Sequence, residues 1–230
     1  MHKLDNASAH TSTSYDAQVR KTLPYYEFFH KETISLIQSI MRSPRLWLDT
    51  GCGTGNLVMK ALDEFPDTRF LLADPSREML AVARSKIGNL ERVVFLEPIS
   101  TQGLRSVVKE KFDVITAVQA HHYLSVDERR AATETCYELI NDNGIYVTFE
   151  NVRPFTRRAI EIGKAKWAAY QIASGKSRED AYGHIDRFDK EYFPITIEDH
   201  LQLYHNCGFI VVELFWYSYL QAGFYCLKSS

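Results

Sequence analysis

Residues 47–57, WLDTGCGTGNL, set three glycines within five positions, directly after a short apolar run. Glycine weakens strands and helices alike, so this place needs bare main chain more than it needs local stability. Residues 45–49 read as a short buried strand. After the glycines, Val58, Ala61, Leu62 and Phe65 recur at helical spacing until Pro66 stops them. A strand, a glycine loop and a helix in that order aim the helix's first N–H groups into the loop. Without Cβ atoms, backbone can approach a ligand closely. Gly51, Gly53 and Gly55 therefore mark a binding loop beyond the carboxyl end of a strand.

The rest of the chain says what kind of sheet holds that strand. RFLLAD ends at Asp74, and Ser76 caps a helix that carries Met79, Leu80, Ala83 and Ile87 before Gly88. VVFL (93–96) and FDVITAV (112–118) are further strands, with a weak helix at 104–109 between them. Ser125 and Glu128 have the capping-box spacing and open a helix, NDNG (141–144) reads as a turn, and IYVTFE (145–150) as a strand. Strands alternating with helices predict a parallel sheet with right-handed crossovers. The alternation then breaks. Residues 152–195 show helical stretches at 155–173 and 177–190 and no convincing strand. Thr196 caps a helix ending at Gly208, and two closing strands at hairpin spacing predict an antiparallel pair. Ahead of the first strand, residues 15–41 read as helical, with Pro24 opening a second helix. Residues 1–14 are small and polar and read as a mobile tail.

The letters of the loop narrow the ligand. A dinucleotide fingerprint starting at Gly51 would need glycine where Asn56 stands. A P-loop would need Lys and Ser or Thr where Asn56 and Leu57 stand. Asp74 closes the second strand 23 residues after Gly51, where a carboxylate can accept both hydroxyls of a ribose. A formal net charge of −2 argues against a protein that coats nucleic acid. No window reaches about 18 consecutive apolar residues, so no membrane span is expected. The polar start lacks an apolar h-region, and the four cysteines (Cys52, Cys136, Cys207, Cys226) are scattered, which fits lone thiols in a reducing cytoplasm.

LDTGCGTG resembles motif I of the class I S-adenosylmethionine-dependent methyltransferases, ADPSREML their acidic second motif, and FDVITAVQAHHYL their fourth strand and following loop. The resemblance runs from Arg45 to Lys228. It implies an α/β, Rossmann-like, seven-stranded, mostly parallel sheet with helices on both faces, the final strand running antiparallel beside the fifth. A single domain over 15–230 would carry an N-terminal helical cover (15–43) and a helical lid (152–195). The cofactor implied is S-adenosyl-L-methionine, leaving S-adenosyl-L-homocysteine as product. By the same resemblance, Asp49 helps hold the amino group, and backbone of Gly51 and Gly53 flanks the methionine moiety. Asp74 takes the ribose diol, and Pro75 and Met79 pack on adenine. Backbone at Ala117 accepts from the adenine amino group. Where the family often has an Asp after the third strand, this chain has Ile99, so adenine falls to backbone of Ile99 and Ser100, or to Gln102.

Other residues are candidates by position. Arg20 on the N-terminal helix can pair with the methionine carboxylate, with Tyr15 on the same wall, whereas Tyr25, Tyr26, Phe28 and Phe29 read as packing. Adjacent residues on an extended segment point to opposite sides, so one of His121 and His122 faces the pocket. His122 is the candidate general base, with His121 and Tyr123 toward the substrate. No metal site is expected. In the lid, Trp167, Tyr170, Tyr182, His184, Arg187 and Phe193 can wall an acceptor, and Arg153, Arg157 and Arg158 can meet an anionic one. His200 and His205 read as surface residues. The expected partner is a small-molecule methyl acceptor, with a homodimer as the assembly option and neither membrane nor nucleic acid. The rivals are an RNA methyltransferase, which would need a basic module or a base-reading motif in place of VQAHHYL, and a cofactor-binding protein without catalysis.

Overall fold

In the computed structural model, residues 8–229 are described. The glycine-flanked strand β1 (Leu46–Thr50) lies in the middle of the sheet, because its apolar side chains are covered on both faces. β2 (Arg69–Ala73) and β3 (Val93–Phe95) extend the sheet to one side, and β4 (Phe112–Val118) and β5 (Ile140–Asn151) to the other, all parallel. β6 (Val211–Ser218) and β7 (Gln221–Leu227) form the expected hairpin, and β7 inserts antiparallel between β5 and β6. The resulting order is β3-β2-β1-β4-β5-β7-β6. The chain reverses its direction of travel between β1 and β4, and that reversal leaves a crevice at their carboxyl ends.

Alternation along the strands supplies two apolar layers. On one face Trp47, Phe70, Val114, Ile145 and Val147 pack under α2 (Tyr26–Ile40) and α3 (Asn56–Glu64). On the other, Leu48, Ile115, Tyr146 and Phe224 pack against α5 (Leu104–Val107), α6 (Val126–Leu139) and α9 (Ile197–Asn206). α4 (Arg77–Ile87) begins at Ser76, whose Oγ accepts from the Met79 N–H at 3.0 Å. A third apolar group joins α1 (Tyr15–Thr22) to α7 (Arg157–Ala173) and α8 (Arg178–Ile185) through Val19, Trp167, Ile185 and Tyr192. Among the described residues no helix is long and apolar enough to cross a membrane.

Several expectations need correction. NDNG belongs to β5, although pairing jumps from Phe112–Ile140 to Val114–Ile145, so residues 141–144 bulge out without ladder partners. His200 is 1% exposed, because its face of α9 lies on the sheet, where the ring stacks on Phe224 and Nδ1 meets the Tyr204 hydroxyl. Phe28, expected in the packing, is about half exposed on α2, whereas Tyr25, also half exposed, meets the rings of Trp216 and Tyr219. Of the polar leader, residues 1–7 lie outside the described residues. Residues 8–14 run against the body: His10 Nε2 meets Thr22 Oγ1 at 2.9 Å, and Ser12 donates to Glu78.

Candidate active site

The floor of the crevice is a chain of hydrogen bonds between the two central strands. Register places Asp49 opposite Thr116. Trp47 Nε1 donates to Thr116 Oγ1 at 2.9 Å, and that hydroxyl donates to Asp49 Oδ1 at 2.6 Å. Asp49 is 2% exposed and lines the crevice. Burial pushes its carboxyl up to about 7, the Thr116 bond works against that shift, and the neighbouring charge of Asp74 adds to it.

The loop after β1 turns on left-handed backbone at Gly51, Gly53 and Gly55 (φ 65°, 53° and 77°). Asp74 braces it from the next strand: Oδ2 accepts from the Gly53 N–H and Oδ1 from the Ser76 N–H, each at 2.8 Å. The glycines differ in what surrounds them. A Cβ on Gly51 would lie 2.5 Å from the Ala120 Cβ, whereas a Cβ on Gly53 would meet nothing within 4 Å. Gly51→Ala should therefore lose stability, by about 2–5 kcal/mol from strain plus overpacking. Gly53→Ala should melt only a few degrees lower and lose affinity for any ligand that fills the crevice. Thermal melts and calorimetry on the pair check this, and equal behaviour of the two variants would refute it.

At the β2 end the lining residues are Asp74, Pro75, Met79, Ser100, Thr101 and Gln102. Ile99 and Ala117 do not line it. The Ile99 N–H is taken by the Asp74 carbonyl, and the Ala117 carbonyl faces the interior, where it accepts from Thr148 Oγ1.

The roof is α1 and part of α2. Asp16 on α1 reaches the glycine loop, accepting from Thr54 Oγ1 (2.6 Å), Asn56 Nδ2 (2.8 Å) and Lys86 Nζ (2.7 Å). At its other end α1 is held to the lid, where Trp167 Nε1 donates to the Thr22 carbonyl at 2.7 Å. Tyr15, Tyr26 and His30 face into the crevice. Arg20 does not. It sits one turn beyond Asp16 on the same helix, half exposed, and its Nε pairs with Glu27 at 2.6 Å.

A family model described as a methyltransferase domain matches residues 48–146, the segment that builds this floor, loop and strand-end wall. The matched segment is a methyltransferase domain of the class I S-adenosylmethionine-dependent type. Carboxy-S-adenosyl-L-methionine synthase of Campylobacter lari is 23% identical over 218 residues, 93% of this chain and 90% of that protein. Among solved structures, the plantazolicin methyltransferase with S-adenosylhomocysteine superposes with TM-score 0.66 at 14% identity, covering 94% of this chain and 88% of that one. Human N-acetylserotonin methyltransferase with S-adenosylmethionine gives 0.59 at 14% identity, with 98% and 60% covered. Of the first structures it matches, this methyltransferase spans between 55% and 60% of the length.

The crevice of the methyltransferase fits its cofactor, S-adenosylmethionine. Gln102 Oε1, at the β2 end, and His30 Nδ1, under the roof, are buried polar atoms without a protein partner. Such atoms are costly unless a ligand meets them. Gly53, where a Cβ would meet nothing within 4 Å, lines the same crevice.

The turn after β4 reverses the expected roles of the two histidines. The segment is a 3-10 turn, His121–Tyr123, folded around the buried carboxylate of Glu150. Glu150 Oε2 accepts from His122 N and Nδ1, both at 2.8 Å, and Oε1 from His121 N (3.1 Å) and Thr148 Oγ1 (2.9 Å). His122 is 1% exposed and does not line the crevice, so it is no general base there. His121 does line it, but its nitrogens lie by Thr101 Oγ1 (3.1 Å) and the Tyr146 hydroxyl (3.3 Å). Tyr123 also lines it. Burial opposes the charge on Glu150, yet the His122 hydrogen bond and the surrounding imidazoles hold its carboxyl down at about 2.

Residues 152–195 supply less than their composition promises. Arg153 grips Asp189 with both guanidinium arms at 2.7–2.8 Å, and its plane lies over Phe188. Tyr182 is 41% exposed under Arg178. Arg157 and Arg158 both pair with Glu161 in solvent. None of these reaches the crevice. Among the described residues no group of histidine, cysteine or carboxylate side chains could hold a metal. Sequence reading missed Tyr26, His30, Asn56, Gln119 and Glu150. Only Glu150 carried a signal, as the acid that ends the mainly apolar run IYVTFE.

Proposed function

We propose that this methyltransferase acts on a small-molecule acceptor, and that the crevice residues divide the cofactor among them. Asp74 takes the ribose hydroxyls, Asp49 the amino group, Gly51 and Gly53 the methionine backbone side, and Pro75 and Met79 the adenine faces. Gln102 takes the adenine amino group in place of the missing acid, with Ser100 beside it. The observation that supports the small acceptor is the roof: α1, pinned to the loop by Asp16 and to α7 by Trp167, covers the crevice. When bound, the sulfonium supplies the methyl group, its C–S pair returning to sulfur as the acceptor's lone pair forms the new bond. The chain's own work is alignment and exclusion of water. Glu150 positions the turn that bears His121 and Tyr123, and α1 shields the reacting end.

The test is mass spectrometry of S-adenosylmethionine incubated with the protein and a metabolite mixture. Formation of S-adenosylhomocysteine with a product heavier by one methyl supports the reading. A cofactor that gains a carboxyl group instead would align the chain with its Campylobacter relative, and binding without conversion would mark a sensor. Against the carboxylating outcome, no Lys or Arg lines the crevice among the described residues, so an anionic co-substrate finds no cation there.

Asp49 adds a second check. With its carboxyl near 7, about half of it is protonated at pH 7. An ammonium placed beside it lowers that value, so cofactor binding should release about half a proton. Calorimetry in buffers of different ionisation enthalpy reads this directly, and a buffer-independent heat would refute the role.

A further inference from the structure

A narrow cavity opens off the crevice between α1 and α8. Tyr15, Gln119 and Tyr123 wall both spaces, so the two are continuous. On its far side the cavity shares His10 and His184 with a wider surface recess bearing Lys176, Arg187, Glu179, Asp180 and Glu191. Solvent, recess, neck and crevice thus form one path to the end of the crevice nearest the β4 turn.

The neck has a chemistry of its own. Rings wall it: Tyr15 and Tyr123 on the crevice side, His184 and Tyr192 on the lid side, the last two stacked with centroids 6.1 Å apart. No Asp, Glu, Lys or Arg lines it among the described residues. Its imidazoles are neutral at physiological pH. Burial, with help from Lys176 and Arg187, lowers His10 to about 4 and holds His184 well below its ordinary value. Tyr192 is 1% exposed, and its hydroxyl has no hydrogen-bond partner. Gln119, at the junction, is held in the left-handed region (φ 57°), a backbone strain that such junctions tolerate where a side chain must be aimed.

We infer that this neck is the acceptor's seat, and that the acceptor is a small, planar, uncharged molecule whose hydroxyl or similar polar group bonds the Tyr192 hydroxyl. The assignment rests on the methyl-transfer reading. Ring walls favour a flat ligand. A buried hydroxyl without a partner favours a ligand that supplies one. The absence of charge in the wall disfavours an ionised ligand, which would enter without compensation. The recess outside carries both signs of charge and attracts neither kind of ion strongly.

The test uses the full chain saturated with S-adenosylhomocysteine and three ring probes: phenol, benzoate and benzylamine. Ligand-observed NMR titration should show phenol bound and the two ions at least about tenfold weaker. Tyr192→Phe should weaken phenol by up to about tenfold while S-adenosylhomocysteine affinity, read by calorimetry, stays within about twofold. His184→Gln is the second variant and should also weaken phenol alone. Equal binding of either ion, no phenol binding to the loaded protein, or phenol affinity untouched by both variants would overturn the assignment. Loss of S-adenosylhomocysteine binding in the unmodified protein would instead overturn the cofactor reading beneath it.

Discussion

Replacing Asp74 by alanine should cost the methyltransferase about 10- to 100-fold in cofactor affinity, equivalent to about 1.5–3 kcal/mol for charged hydrogen bonds lost from a buried site. The carboxylate is 7% exposed and stands where the second strand ends beside the glycine loop. Its oxygens also accept the Gly53 and Ser76 N–H groups, so the alanine variant loosens the loop as well as removing the proposed ribose partner. Asp74→Asn keeps the volume but loses the charge, and should fall between wild type and alanine. Calorimetric titration with S-adenosylhomocysteine measures all three. Affinities within about twofold of one another would remove Asp74 from the site.

Acid should unfold the protein through its buried imidazoles, before its depressed carboxylates titrate. Burial, the largest cause in each case, lowers His30 and His200 to about 3 and His121 to about 4. His10 and His184 are lowered by the same cause. Each is neutral when folded and takes a proton near 6.5 when unfolded, so the unfolded chain binds more protons as pH falls below that value. Stability is therefore complete above about 6.5 and falls by about 1.4 kcal/mol per pH unit for each such group. Asp49 acts in the opposite sense between about 7 and 4, since its raised carboxyl takes a proton in the folded state. Five imidazoles against one carboxyl leave a net loss of several kcal/mol per unit, set against a total stability of about 5–15 kcal/mol. An unfolding midpoint near pH 5 is expected by far-UV circular dichroism and by the fluorescence of the buried Trp47 and Trp167. Glu150, whose carboxyl is depressed, adds its own loss only below about 4.5. A native spectrum at about pH 4 would contradict this account.

Much of the frame was legible because backbone geometry dictated the residue. Only glycine takes left-handed backbone so near Ala120, and strand–helix alternation leaves few ways to order a parallel sheet. The final hairpin followed from spacing alone. What was not legible depends on contacts between residues far apart in sequence. Arg20 was assigned to the cofactor by charge and position, yet Asp16, a turn earlier, is the residue that meets the loop. His121 and His122 were weighed as an extended pair, and the buried Glu150 that curls them into a turn lies 28 residues beyond His122. His200 looked like a surface residue because nothing local reveals which face of α9 rests on Phe224. The neck joins Gln119, Tyr192 and His184, which only the packing of the lid brings together.

The double anchorage of α1 bears on the order of events in a catalytic cycle. One end of the helix is held to the loop by hydrogen bonds from Thr54 and Asn56 and to α4 by an ion pair with Lys86, and the other sits under the indole of Trp167. Spent nucleoside can leave only when the polar end lets go, whereas the neck opens toward solvent beside the hydrophobic end. Methylated product should depart first and spent cofactor last, and raising ionic strength should quicken the second departure without touching the first.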